Sequence, residues 1–364
     1  PGTEDKMQQN KFMKKAAVYC ILFVVIAMSV MLYYSANKIV VVADVAQDEV
    51  IRSAQEEQES TLTAVVDENH ITIDQDRQNT NYFCIPMPGV VKAEEVTLEN
   101  HYMDQELWVN IQGKNMKDYD TFYEENAVYG NSQNVVDGHF EVENNRIYLR
   151  FSLTGVYEYR SIFEEQTLYV EFVPSKEVYE KVIVIDPAYG AGVSGVIQDG
   201  IAAKDITLDI AKALKARFDE TDIKVYYTRM DDSNPAPENR VKLAAATKAD
   251  MLIRLEVSGD ENSKIYGTEA VYNSRYFIPG FGSVELADIL EREVVTAISG
   301  KANGLVEAAD TDEVISAATV PAAALKVGYL TNAQESILLQ REDYINRIAE
   351  GIYNAVMKAY EGEV

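Results

Sequence analysis

The hydrophobic period of this chain changes once, between Pro174 and Val182, and that change constrains what each side can fold into. From about residue 61 up to it, apolar and polar residues alternate. Ile147, Leu149, Phe151 and Leu153 share one parity of "IYLRFSL", and Leu168, Val170 and Phe172 repeat the pattern. Leu107, Val109 and Ile111 do so around Trp108, the single tryptophan. A period of two with one wet face marks a strand. Turn-rich "GNSQNVVDGH" and "VENNR" separate such runs. Short strands without a helical period predict a small all-β sandwich over residues 61–174. Trp108 and the many tyrosines have an ordinary role on sheet faces, with a sugar-binding platform as the alternative.

Residues 175–181 read as a linker, and beyond them the pattern is that of a covered sheet. Val182–Ile185 is uninterrupted apolar chain, as expected for a strand buried on both faces. Asp205 is suited to cap a helix whose inner face is Ile206, Ile210, Leu214 and Phe218. Then follow strand "IKVYYT", helix 237–248, strands "MLIRLEV" and "TEAVYN", helix 283–298 and a strand around "AALKVGYL". A last helix buries Ile345, Ile348, Ile352 and Val356. Strand–helix alternation of this kind predicts an α/β domain over 182–364, a mostly parallel sheet flanked by helices.

Residues 16–34, "AAVYCILFVVIAMSVMLYY", carry no charge over 19 positions, about the length that crosses the hydrocarbon core as a helix. Lys6, Lys11, Lys14 and Lys15 precede the run against Glu4 and Asp5. Positive-inside logic then gives a cytoplasmic tail (1–15), one transmembrane helix (16–36) and a stalk (37–60). The bulk of the chain is expected outside a plasma membrane, as a single-pass protein. A cleaved signal peptide is the rival, but "YYSANK" offers a poor small-x-small site. The formal net charge of −26 argues against a nucleic-acid partner. Cys20 lies in the apolar run, so Cys84 stands alone outside, expected as a buried thiol.

A set of landmarks recurs in order through the second half: "VIVIDP" (182–187), "KDITLDIAKALK" (204–215), "VYYTRMDD" (225–232), Arg240, "ADMLIRLEVS" (249–258), "GTEAVYN" (267–273), "PAAALKVGYLTN" (321–332) and "RIAEGIYNAV" (347–356). In these, residues 182–360 resemble the zinc-dependent N-acetylmuramoyl-L-alanine amidases, which cut stem peptides from the peptidoglycan glycan. The resemblance implies a metal-ligand histidine in Asp-Pro-Gly-His-Gly-Gly, where this chain has Tyr189. It implies a glutamate ligand where Ala203 stands, and a second histidine, in Ser-Ile-His-Ala-Asn, where Glu256 stands. The family's catalytic glutamate, two residues before the glycine of Gly-Phe-x-x-Asn, corresponds to Lys326. Asp186 and Asp205 are retained. Less specifically, the β region resembles the AMIN-like sandwich modules that precede such domains and target them to the septum or peptidoglycan.

The three histidines, His70, His101 and His139, all precede residue 182, and residues 182–364 hold no histidine or cysteine. Zinc selects nitrogen and sulfur donors, and a hydrolytic site needs three protein ligands and an open position. Without them nothing lowers the pKa of a bound water. The expectation is therefore no zinc, no cofactor and no metal site. Lys326 could act as a base toward Thr331 or Ser258, but the sequence shows no such arrangement. Asp186 and Asp205 are read as capping loops and helix ends. Glu256 and Lys326 are expected to pair in the former metal cleft with Tyr189 filling volume, since a lone buried charge is costly. The leading reading is a membrane-anchored pseudoenzyme that binds peptidoglycan or a cell-wall remodelling complex. An active peptidoglycan amidase and a purely structural ectodomain are the alternatives.

Overall fold

The computed structural model describes residue 40 and residues 42–46, 69–77, 80–275 and 277–362. The expected cytoplasmic tail, membrane span and most of the stalk lie outside the described residues. Among the described ones, no helix is long and apolar enough to cross a membrane.

The β region contains β1 (Val42–Asp44), β2 (Ile73–Asp74), β3 (Phe83–Pro86), β4 (Val96–His101), β5 (Glu106–Ile111), β6 (Val128–Gly130), β7 (Val135–Glu143), β8 (Arg146–Leu153), β9 (Tyr157–Glu164) and β10 (Thr167–Pro174). They form two five-stranded sheets, β1-β4-β5-β8-β7 and β2-β6-β3-β10-β9. The alternating apolar residues meet between them: Leu107, Val109, Leu149 and Phe151 from one sheet face Phe83, Ile85, Leu168 and Val170 from the other, all fully buried. This is the sandwich expected from the period of two. Cys84 is buried and free, and burial pushes its thiol up to about 11. Trp108 is engaged in the sheet face: the His101 ring stacks on it at 3.8 Å and the Arg150 guanidinium lies 4.6 Å from its centre.

One part of the expected stalk is not a stalk. Val42–Asp44 adds to the first sheet as a parallel edge strand, with Val42 opposite Leu98. The apolar strip "IVVVADV" supplies the β-formers, and the open edge of β4 supplies the backbone partners. The linker is also docked. Ser175–Val178 forms a helical turn, Lys176 pairs with Asp250 at 2.6 Å, and Ser175 Oγ meets the Tyr226 hydroxyl at 2.9 Å.

The second half runs β11 (Val182–Pro187), β12 (Ile197–Gln198), β13 (Ile201–Ala202), α1 (Ala203–Phe218), β14 (Lys224–Tyr227), α2 (Pro237–Ala246), β15 (Met251–Ser258), β16 (Thr268–Tyr272), α3 (Ser283–Ile298), β17 (Ala302–Glu307), β18 (Ala322–Tyr329), α4 (Ala333–Leu338) and α5 (Glu342–Glu361). The six-stranded sheet has the order β14-β11-β15-β18-β16-β17 and is parallel except where β16 meets β18. On one face, Ile183, Ile185, Ile253 and Leu255 are covered by the inner faces of α1, α3 and α5. On the other, Val182, Val184, Leu252 and Ala324 pack with Leu243 and Ala244 of α2. Tyr102, Met103 and Val156 of the sandwich join that same core. Tyr102 also donates its hydroxyl to the Tyr227 carbonyl at 2.7 Å.

The helix predicted at 237–248 ends at Ala246, with Lys248 in the left-handed region at φ 51°. Asp205 does not cap α1. Ala202 occupies the cap position, and Asp205 lies exposed in the first turn, paired with Lys204 at 2.9 Å. Its charge still complements the helix N-terminus. The β12–β13 hairpin, β17 and α4 have no counterpart in the sequence reading. In β17, "ANGLVE" hides its strand behind Asn303 and Gly304, the latter at φ +94°.

Candidate functional site

Ligand sites in open α/β sheets lie beyond the carboxyl ends of the strands. There β11 delivers Asp186, fully buried, into a set of cations. Its Oδ1 accepts from Thr228 at 2.6 Å and from Arg240, and its Oδ2 accepts from Arg254. Burial alone would raise this carboxyl, but the Arg240 and Arg254 guanidiniums outweigh it and hold Asp186 well below the usual carboxylate range. Asp186 is thus the anion of a buried ion-pair centre, not the loop cap expected of it.

The chain after β11 is held by two buried arginines. Arg240 donates to the carbonyls of Pro187 at 3.0 Å and Tyr189 at 3.2 Å. Arg229 donates to the carbonyls of Pro187 at 3.0 Å, Ala188 at 3.1 Å and Lys204 at 2.8 Å. Tyr189 sits at φ 68°, unusual for an aromatic residue, in a stretch where the carbonyls of Pro187, Ala188 and Tyr189 all accept from arginine. Gly190 follows at φ +151°, where a Cβ would lie 2.0 Å from the Ser233 carbonyl oxygen. The Tyr189 ring fills the space beside Gly195 and Ala203. Burial, with Glu256 adding to it, pushes its phenol up to about 12, so it is neutral at pH 7.

On β15, Arg254, Glu256 and Ser258 alternate with buried Leu255 and Val257, so all three face the same side as Asp186. Arg254 reaches both ways: one nitrogen bonds Asp186 and its Nε donates to Glu256 at 2.7 Å. Lys326 on β18 is opposite Glu256 in register but bonds Glu269 of β16 at 2.8 Å. The expected Glu256–Lys326 pair is not what forms. Arg254 is closer in reach to Glu256, and Glu269, on the antiparallel neighbour, takes the lysine. Burial alone would lower Lys326, yet the bond to Glu269 and the nearby Glu256 raise it, so it stays cationic.

The strand ends thus carry a ladder of alternating sign: Asp186, Arg254, Glu256, Lys326, Glu269. The structure brings Tyr189, Ala203, Glu256 and Lys326 to this end of the sheet and leaves Asp205 on the outer side of α1, linked through Lys204 to Asp232. Sequence reading missed Arg254 and Glu269. The signal for Arg254 was its position two residues before Glu256, which places both on one face of a strand. Glu335 was also missed: its carboxylate accepts from the Gly267 and Tyr329 amides at 3.0 and 2.7 Å, fixing the loop after β18.

Residues 183–358 match the family Amidase_3, N-acetylmuramoyl-L-alanine amidase. This stretch is an amidase-family domain. It is 25% identical over 183 residues to the N-acetylmuramoyl-L-alanine amidase LytC of Bacillus subtilis strain 168, covering 50% of this chain and 36% of LytC. It is 27% identical over 181 residues to YqiI of the same organism, covering 50% of this chain and 85% of YqiI. The catalytic domain of CwlV from Bacillus (Paenibacillus) polymyxa var. colistinus is similar at 29% identity, with 50% of this chain and 98% of that chain covered and a TM-score of 0.46. The chain spans about a third of LytC's length.

The zinc ion that the family resemblance implies can be tested against the donors in the amidase domain. Ala203 offers no donor atom, the Tyr189 phenol keeps its proton, and Glu256 is already bonded to a guanidinium. Lys326 presents an ammonium. These residues do not fit a zinc ion, whose ligands are imidazole, thiolate or free carboxylate.

Proposed function

We propose that this chain is a non-hydrolytic cell-wall protein whose amidase domain binds peptidoglycan or a protein of the remodelling machinery. The observation that carries the reading is Arg254. It joins Asp186 to Glu256 where the family's second histidine strand would present a metal ligand. A guanidinium there supplies the positive charge the carboxylates need. The uncharged run at 16–34 supports anchoring by one span, with the sandwich and amidase domain on the outer side of the plasma membrane. The AMIN-like resemblance of the sandwich supports a targeting role there.

Incubating the purified full chain with peptidoglycan sacculi tests this reading. Co-sedimentation without muropeptide release, or capture of a cell-wall remodelling protein from crosslinked membranes, is the expected result, and absence of both selects the structural ectodomain. The competing reading, an active amidase, draws on membership of the family; soluble peptide released from sacculi would establish it.

A further inference from the structure

Two of the three histidines meet on the sandwich, outside the amidase domain. On β7, Asp137 and His139 are two residues apart and face the same side of the strand. A bulge between Val135 and Asp137 sets where that pair begins, and bulges commonly re-aim side chains. His70 is brought to them from 67 positions earlier in the chain by an isolated bridge to His139. The bridge has two backbone bonds around it, Ile71 N–H to Gly138 at 2.8 Å and Phe140 N–H to Asn69 at 2.9 Å.

The result is a compact donor set. One ligand atom from each of His70, Asp137 and His139 falls within 4.8 Å of the others, and no other such cluster of three occurs among the described residues. His70 Nδ1 is 3.7 Å from one Asp137 oxygen, and His139 Nε2 is 3.2 Å from the other. The Gly138 amide bonds Asp137 at 2.8 Å and orients the carboxylate. These separations approach the roughly 3.3 Å between neighbouring ligands of a tetrahedral ion with bonds of about 2.0–2.1 Å. The His70 ring is the most exposed of the three side chains. Arg150, opposite His139 across the ladder, lies over Trp108 and 3.8 Å from Glu141.

We propose that His70, Asp137 and His139 bind one divalent first-row transition metal ion, with zinc the best match, and that the ion fastens residues 69–71 to the edge of the sandwich. Two imidazoles and one carboxylate suit zinc, and nitrogen donors disfavour calcium and magnesium. Three protein ligands leave a fourth position for water. The strong net negative charge of the chain favours cation approach. The site is independent of the reading given to the amidase domain, whose donors do not fit zinc.

The test is titration of the metal-free full chain with Zn2+ by calorimetry, with Co2+ for its visible spectrum and Mg2+ and Ca2+ as controls. One Zn2+ per chain is expected, together with slower hydrogen exchange at the Ile71 and Phe140 amides. His70→Ala and His139→Ala should each weaken binding by more than the roughly 10–100-fold lost when an outer-shell partner is removed. His101→Ala should leave it unchanged, and matching apo melting temperatures would show that the variants fold. Zn2+ should raise the melting temperature of the wild type and not of the His70→Ala/His139→Ala double variant. Absence of saturable Zn2+ binding, binding unchanged in the double variant, or Mg2+ or Ca2+ binding as tight as Zn2+ would overturn the assignment.

Discussion

Asp186 is an acid with no exposed surface and two guanidiniums on its oxygens, so its protonation is tied to folding. Its folded pKa lies below the unfolded value of about 3.9. The unfolded chain therefore takes up that proton first as pH falls. The stability it contributes is complete above about pH 5 and is lost on acidification below about pH 4. Asp186→Asn, which leaves two buried cations short of their anion, should cost about 3–5 kcal/mol at pH 7 by urea unfolding. The gap between variant and wild type should narrow in acid; a gap constant down to pH 2.5 would contradict the ion-pair account. Arg254 makes a second prediction. Arg254→Met should cost about 3–5 kcal/mol by the same measurement. Arg254→Lys should cost less, because the ammonium keeps a positive charge at the site, yet still destabilise, because it cannot span both carboxylates as the planar fork does.

At the scale of elements, most of the α/β framework was legible because each element repeats one period for several turns. The inner face of α5 is an example: Ile345, Ile348, Ile352 and Val356 are spaced for a helix and all are buried. What was not legible is what one element hands to another. Glu256 and Lys326 are in register, as a cleft pair would require, but their partners come from a side chain on the same strand and from the antiparallel neighbour. Register can be inferred from sequence only when topology is known, and β16 running against β18 is not written in its own residues. Gly351, mid-helix in α5, is a similar case. A Cβ there would lie 2.6 Å from Val294 Cα of α3, so the glycine permits close helix contact. Gly351→Ala should destabilise the protein by about 1–3 kcal/mol in thermal unfolding, through overpacking. An exposed helical glycine would instead gain from the same change.

Across the whole molecule, the sandwich and the amidase domain share a core. Tyr102 is 4% exposed, stacks edge-on to Tyr226 at 5.0 Å and donates to the Tyr227 carbonyl, while Lys224 pairs with Glu158 at 3.0 Å. The sequence showed a boundary near residue 174 but not that the two sides adhere, since Tyr102 lies in a turn with no period to mark its direction. A single calorimetric unfolding transition is expected for the sandwich and the amidase domain together. Tyr102→Ala, at about 3–5 kcal/mol for losing a buried aromatic, should split it into two. These contacts tie the sandwich to the sheet that carries the ladder at its strand ends. We propose that Arg254, Glu256 and Lys326 hold an ion-pair network where the family resemblance implies a hydrolytic centre. The most direct measurement is the appearance of new L-alanine amino termini when the full chain is incubated with peptidoglycan and Zn2+. No rise above buffer is expected; a rise that grows with protein and stops on chelation would overturn the ion-pair replacement.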